Sequence, residues 1–337
     1  MTILVTGGAG YIGSHVVRQL TEAGHKVVVF DNLSTGFAEA LIHEEELIIG
    51  DLSDISALNK VFEVHQIDTV FHFAASIVAP ESVAKPLQYY RNNTGNTINL
   101  LNASVNYGVK RFIFSSTAAV YGLPEEGMAS EDTPTRPINP YGQSKLMSEI
   151  ILRDISRAHG LRYLALRYFN VAGADPQARM GQRTPNATHL IKVCCQAALG
   201  VRDFVSIYGT DYQTKDGTGI RDYIHIEDLA SAHVDALRYL GAGGGSTILN
   251  VGYGKGHSVR EVIRAVRRIS GVNFKVTEAQ RRPGDPAMLV AEADRIRTTL
   301  RWQARYDDLD KIVTDAWHWE QKMAGISAPY YREAKRS

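Results

Sequence analysis

Tyr141 and Lys145 stand four residues apart in the run Asn139-Pro140-Tyr141-Gly142-Gln143-Ser144-Lys145, a spacing that sets a phenol and an ammonium one turn apart on one face of a helix. A phenolate can take the proton of an alcohol. To do so near neutral pH its pKa must fall from about 10 to near 7, a preference for the ionised form of ~4 kcal/mol. A helix N-terminus supplies only ~0.3–1 kcal/mol of this. An ammonium about 4 Å away supplies up to ~4 kcal/mol at an effective dielectric of about 20. The lysine is therefore expected to carry most of the shift.

Spacing alone does not select this pair, because Tyr331 and Lys335 repeat it. Context does. Asn139 reads as an N-cap and Pro140 as the first helical residue, which puts Tyr141 in a first turn. Upstream lie an apolar run, Arg111 to Ser115, and its polar continuation Ser116-Thr117. Tyr331 has neither neighbour. Thr117 could bridge a substrate hydroxyl and Tyr141, its plainer role being a loop hydrogen bond.

The elements that must position such a pair read as alternating strands and helices. Short β-branched runs fall near 2–6, 26–30, 46–49, 69–73, 111–115 and 162–168, with helical patterns near 12–23, 54–65, 86–106 and 140–158 between them. This repeat predicts an α/β fold, a doubly wound parallel sheet of the Rossmann type. After about Asn170 the alternation weakens and Gly, Pro and Thr cluster in 173–188 and 209–219, where a smaller α/β lobe is expected to begin. A helix over 226–240 and a strand over 247–251 are expected to return to the first unit. The predicted division is 1–171 with 222–252, against 172–221 with 253–337. Ser258 and Glu261 form a capping-box pattern ahead of an apolar stripe that Gly271 ends. Arg260, Arg264, Arg267 and Arg268 on that stretch read as a solvated face.

The first strand runs into Thr6-Gly7-Gly8-Ala9-Gly10-Tyr11-Ile12-Gly13. Glycines at this spacing let the backbone turn, approach a pyrophosphate and pack helix on sheet, while the helix N-terminus faces the anion. Asp31 closes the second strand, where an acid is expected to meet an adenosine ribose and to repel a 2′-phosphate, so NAD is favoured over NADP. Asn32, Asp51, Leu52, Phe73 and Ala74 follow strand ends, where ligands collect in such sheets. Asp51 could instead cap a helix and Phe73 could fill the core. An oxidised nicotinamide would add positive charge beside Tyr141.

Composition restricts the partners. The 337 residues carry a formal net charge of +1, with 44% hydrophobic and 22% charged residues, which offers no long-range pull toward nucleic acid or an anionic membrane. No apolar run reaches membrane-spanning length, and nothing at the N-terminus reads as an export signal. The two cysteines, Cys194 and Cys195, are adjacent, which suits neither a disulfide nor the usual metal spacings, so no metal is expected and a reducing cytoplasm fits.

Together these residues resemble the extended short-chain dehydrogenase/reductase family over nearly the whole chain. Phe112-Ile113-Phe114-Ser115-Ser116, Arg167-Tyr168-Phe169-Asn170 and Asp216-Gly217-Thr218-Gly219-Ile220-Arg221-Asp222-Tyr223-Ile224-His225 resemble its UDP-galactose 4-epimerase branch, the last most specifically. The resemblance implies an NAD-dependent inversion of C4 of UDP-glucose and UDP-galactose through a 4-keto sugar, with Tyr141, Lys145 and Thr117 catalytic. It implies that Asn92 and Tyr168 lie by the cofactor, and that Asn170, His189 and Leu190 meet the nucleotide sugar. It places Tyr208 beside uracil, Arg221 and Arg282 at the diphosphate, Asp285 at the uridine ribose and Leu289 at the sugar-pocket wall. A homodimer through helices of the first unit is a further implication. An arginine fork suits a diphosphate and a flat aromatic suits uracil, although either arginine could simply pair with a surface Asp.

Four positions depart from the residues common in that branch. Thr117 stands for serine, Ile77 for a lysine near the cofactor phosphates, His189 for an asparagine, and Leu289 for either a tyrosine or a smaller residue. UDP-glucuronate and UDP-N-acetylhexosamine 4-epimerases remain as alternatives. A nucleotide-sugar dehydratase is disfavoured because Ala118 and Ala119 stand where that subgroup carries an Asp-Glu pair. A non-catalytic NAD-sensing regulator is disfavoured because both Tyr141 and Lys145 are present.

Overall fold

Seven parallel strands form the large sheet: β1 (Thr2–Thr6), β2 (Lys26–Asp31), β3 (Glu46–Ile49), β4 (Thr69–His72), β5 (Arg111–Ser115), β6 (Arg162–Tyr168) and β7 (Thr247–Val251). Their spatial order is β3-β2-β1-β4-β5-β6-β7. The structure is a computed structural model that describes residues 1–184, 187–282 and 284–325. Tyr331, Lys335 and the polar end of the chain lie outside the described residues.

The doubly wound α/β sheet expected from the sequence is present. The middles of β1, β2, β4 and β5 are apolar throughout because helices cover both faces. Residues 27–30 and 163–166 are buried throughout, and each such Val, Leu or Phe contributes on the order of 1.5–3 kcal/mol. Strand order reverses between β1 and β4, which leaves a crevice beyond their carboxyl ends. Thr6, Asp31, His72 and Ser115 end their strands at that edge.

Helices Tyr11–Glu22, Ile55–His65 and Pro140–His159 lie within a residue of the expected spans. The helix expected over 86–106 does not run unbroken. Its path is Pro86–Tyr89, a π-helical turn at Tyr90–Gly95 and then Asn96–Asn106, with a separate helix, Ala79–Ala84, before it. The widened turn turns polar groups inward: Asn93 Nδ2 donates to the Ser76 carbonyl and to Ser144 Oγ, and Thr94 Oγ1 donates to the Ser144 carbonyl. These bonds tie the turn to the helix that carries Tyr141.

The remaining strands make two smaller sheets. Ile220–His225 pairs with Asn170–Ala172, Gly256–Ser258 and Met288–Ala291, and the last of these pairs with Met128–Ala129. Val205–Tyr208 pairs in parallel with Val276–Ala279. Helices Leu190–Ala198, Val259–Ser270 and Leu309–Met323 pack together beside them. Ser258 and Glu261 close both bonds of their capping box. Three of the four arginines on that helix are paired locally, Arg260 with Glu278, Arg268 with Asp310 and Arg267 with the Phe274 carbonyl, and Arg264 is exposed. Among the described residues no helix is long and apolar enough to cross a membrane, and no group of three or more His, Cys, Asp or Glu is placed to hold a metal.

Candidate active site

Asn139 Oδ1 accepts from the Gly142 N–H at 2.9 Å and Pro140 takes the first helical position, so Tyr141 enters in the first turn. Gly142 is required there. A Cβ on it would lie 2.6 Å from the Ala119 carbonyl oxygen, so the helix start rests directly on the turn that begins at Thr117. This contact sets the Thr117 hydroxyl beside the Tyr141 phenol, where it favours the ionised form. Lys145, one turn on, donates to the Ser115 carbonyl at 2.8 Å and sits 4.9 Å over the Phe114 ring.

In the protein alone, desolvation dominates the electrostatics of the pair. Burial raises the Tyr141 pKa above the ordinary phenol value, with Thr117 opposing. Burial also lowers Lys145 to about 7, with the Glu149 charge opposing. Desolvation acts on both members of the pair and outweighs the attraction assigned to the lysine, because each loses water and Lys145 is turned to a carbonyl. The chain's own groups therefore leave the phenol protonated.

A buried polar network behind the pair was not anticipated. Glu149 lies on the same helix face, four residues beyond Lys145. It accepts from Arg167 Nε at 2.9 Å and Nη2 at 2.6 Å, and from Ser116 Oγ. Arg167 Nη1 donates to Tyr121 Oη at 3.1 Å, and that hydroxyl donates to Asn250 Oδ1 at 2.6 Å. One strand end thus holds two levels: the Ser115 carbonyl fixes Lys145, while Ser116 reaches the carboxylate beneath. The signal available in the sequence was a charged residue on the inward stripe of the Tyr141 helix.

The glycine loop lies across the crevice. Gly7 has φ +72°, and a Cβ there would come within 2.5 Å of the Ala74 nitrogen; one on Gly13 would meet the Gly7 carbonyl at 2.2 Å. Gly10 is looser, 3.2 Å from the same oxygen, and it begins the Tyr11–Glu22 helix without a side-chain cap. Tyr11 Oη donates to the Gly173 carbonyl at 2.8 Å, and Ile12 packs on the core. Asp31 accepts from the Ala9 N–H at 2.9 Å and the Leu33 N–H at 2.8 Å, one donor on each oxygen, which leaves each with a free lone pair.

Asn32 Nδ2 donates to Asp51 at 2.7 Å, and Leu52 is buried. Asp51 is no helix cap, because Asp54 takes that place by accepting from Ala57. Phe73 fills core space against the His233 ring at 4.9 Å, while Ala74 follows it along Gly7. Asn92 Nδ2 donates to Ser76 Oγ at 2.9 Å, Ile77 is half exposed, and Tyr168 shares a short hydrogen bond with Ser115 Oγ.

A second feature is a cavity of about 640 Å³. It gathers Asn170, His189 and Leu190 with Tyr208, Arg221, Arg282 and Asp285. Arg221 pairs with Asp285, and the Arg282 guanidinium lies 3.8 Å above the Tyr208 ring centroid. His189 Nδ1 bonds Gln182 Nε2 at 2.8 Å, and burial, then the Lys192 charge, lower its pKa, which keeps the ring neutral. Thr117, Tyr141 and Leu289 do not line this cavity. Leu289 sits on Met288–Ala291 opposite Arg221 and packs, half-buried, on the core. Two residues that do line it, Tyr212 and Phe204, carried no earlier expectation.

Comparison with known proteins places this geometry. Residues 3–252 match the model of the NAD dependent epimerase/dehydratase family. The UDP-glucose 4-epimerase of Azospirillum brasilense is 58% identical over 321 residues, 95% of this chain and 92% of that protein. The solved UDP-Glc/GlcNAc 4-epimerase of Campylobacter jejuni is 50% identical, with a TM-score of 0.84 over 95% of this chain and 99% of its own. The UDP-glucose 4-epimerase of Bifidobacterium longum, solved with NAD+ and UDP, is 38% identical, with a TM-score of 0.91 over 96% and 98%. The chain belongs to the NAD-dependent epimerase/dehydratase family.

Proposed function

We propose that the chain interconverts UDP-glucose and UDP-galactose by inverting C4 of the hexose with bound NAD. One connected feature carries this reading. The Ser115 carbonyl holds Lys145, the Ser115 hydroxyl holds Tyr168, and Asn170, two residues on, lines the arginine-bearing cavity. A proton-transfer pair is thereby joined through one strand end to a place suited to a nucleoside diphosphate.

The residues present fit a dinucleotide. Gly7 and Gly13 leave a cradle that side chains would fill, the helix at Tyr11 and Ile12 opens without a cap, and Asp31 keeps acceptor capacity for a ribose diol. Its carboxylate also repels a 2′-phosphate. In this reading Tyr141 takes the proton of the 4-hydroxyl and returns it, while Thr117 shares its hydrogen bond. Lys145 holds positive charge beside the phenolate, with Glu149 keeping its proton in place. NAD held by these residues would supply the acceptor and donor of hydride at C4, so that the sugar passes through a 4-keto form, and when oxidised would add positive charge to the site.

Arg221 and Arg282 are assigned to the diphosphate, Tyr208 to uracil, Asp285 to the ribose, and Asn170, His189, Leu190 and Leu289 to the sugar side. The division into a cofactor unit, 1–171 with 222–252, and a nucleotide-sugar lobe, 172–221 with 253–337, belongs to the same reading. The pairing of β7 with β6 supports it. Ala118 and Ala119 offer no acid for eliminating water, which disfavours a dehydratase. A cytoplasmic location is supported by two free, buried cysteines.

The test is incubation of purified protein with UDP-galactose, without added NAD, and chromatography for UDP-glucose. The expected result is conversion toward an equilibrium mixture. No product even after NAD is supplied would overturn the reading. Parallel runs with UDP-N-acetylglucosamine and UDP-glucuronate set the range of sugars.

A homodimer completes the proposal. Val83, Leu87, Ile98 and Ile150, on the helices around the π-turn and on the Tyr141 helix, are each at least 40% exposed, apolar side chains that a second copy would take out of water. Sedimentation should give twice the chain mass, and Leu87→Glu with Ile98→Lys should halve it. A monomeric wild-type protein would refute this part.

A further inference from the structure

Tyr212 follows the Val205–Tyr208 strand, is 6% exposed and lines the same cavity as Tyr208, Arg221 and Asp285. The ring is tightly built in. A Cβ on Gly209 would stand 2.6 Å from its edge, and Arg281 lies 4.2 Å over its face, itself fixed by Asp211. The Tyr212 N–H donates to the Gly217 carbonyl at 2.9 Å, which anchors the backbone. Yet the buried Tyr212 hydroxyl has no hydrogen-bond partner among the described residues. Buried phenols ordinarily have one, and an exception asks for an explanation.

The nearby charges suggest it. Arg221 Nη2 holds Asp285 Oδ1, while Arg221 Nη1 donates to the Ile220 carbonyl at 2.7 Å. Burial and then the Asp285 charge raise the Tyr212 pKa, with Arg221 opposing, so the hydroxyl keeps its proton and stays a donor. A diphosphate entering this cavity competes for Arg221, whose planar fork matches an anion with two oxygens. Once Arg221 turns away, Asp285 lacks a protein donor in the cavity where the Tyr212 phenol lacks an acceptor.

We infer that Tyr212 is a positioning residue for the nucleotide: when a nucleoside diphosphate draws Arg221 off Asp285, the Tyr212 hydroxyl donates to the freed carboxylate and holds it in the bound arrangement. The inference rests on the reading that this cavity takes the nucleoside diphosphate. It makes Tyr212 silent in the free protein and useful only when ligand is bound.

Two readouts on the full chain separate this from a packing role: calorimetric titration with UDP, and thermal unfolding without it. Tyr212→Phe is expected to weaken UDP binding roughly tenfold, the worth of a hydrogen bond to a charged group. The unfolding temperature of the free protein should hold or rise, because no bond is lost there. With UDP-galactose, KM should rise and kcat should hold. In an Asp285→Ala background the same substitution should have little further effect on UDP affinity.

Unchanged UDP affinity in Tyr212→Phe overturns the inference. So does a fall in free-protein stability that matches the lost affinity, or an equal loss in the Asp285→Ala background. If the wild-type protein does not bind UDP, or Arg221→Ala binds it as tightly as wild type, the reading of the cavity itself fails. The two failures are therefore distinguishable.

Discussion

Tyr141→Phe is expected to retain NAD and to lose turnover of UDP-galactose by roughly 10²–10⁴-fold or more, the usual loss when a positioned acid–base group is removed. The geometry makes this a clean substitution. The ring stays in its buried place, the Asn139 cap bonds Gly142 rather than the phenol, and Lys145 is held by the Ser115 carbonyl. Only the hydroxyl and its bond with Thr117 are lost, and Thr117 keeps the Ala119 N–H as a partner. Removing a buried phenol whose pKa is raised by desolvation also removes a desolvated polar group, so stability should change little. The check is kcat from product chromatography beside the NAD released on denaturation. Activity within tenfold of wild type would show that another group moves the proton.

Arg167→Leu should cost about 3–5 kcal/mol of stability, the usual price of leaving one partner of a buried ion pair alone. Arg167 and Glu149 are 5% and 3% exposed, so solvent screens neither. After the substitution Glu149 keeps only the Ser116 hydroxyl, and Tyr121 loses the donor that faces it. Glu149 is then no longer held by Arg167, and it is the charge that opposes the fall of the Lys145 pKa, so activity should drop along with stability. Urea unfolding gives the first effect, and the pH dependence of kcat gives the second. Changing both partners, Arg167→Met with Glu149→Leu, should recover much of the stability and none of the activity. A midpoint for Arg167→Leu equal to that of wild type would mean that water reaches Glu149 after all.

How far the sequence alone reaches can be read from particular residues. Tyr141 and Lys145 were legible because local signals, an N-cap, a proline and a preceding strand, all name one helix start, and local signals survive folding. The glycine loop and Asp31 were legible for the same reason. The π-turn at Tyr90–Gly95 was not, because it is set by bonds from Asn93 and Thr94 to residues on other elements. Glu149 and Arg167 lie on a helix and a strand whose adjacency comes from sheet order, and nothing in their own neighbourhoods pairs them. The desolvation of Tyr141 was not legible for a related reason: attraction can be estimated from spacing, whereas desolvation depends on everything packed around the group. Arg221 and Asp285 were each assigned to a ligand; pairing with an Asp was the plainer alternative for the arginine, but that this Asp is Asp285 became visible only in the folded chain.

The pairing of β7 with β6 bears on how the molecule is made. β7 is residues 247–251, so the chain traverses the Leu190–Ala198 helix and the Val205–Tyr208 strand before the large sheet receives its last strand. A nascent chain that has reached only β6 presents that strand as an open edge, with a row of unpaired amides and carbonyls ready to join another chain. Closing it requires a contact between segments some 80 residues apart, which slows folding and lengthens the aggregation-prone interval. Expression of a fragment ending near residue 171 should therefore give insoluble protein, and slower translation or a holdase chaperone should matter most while residues 172–246 are being synthesised.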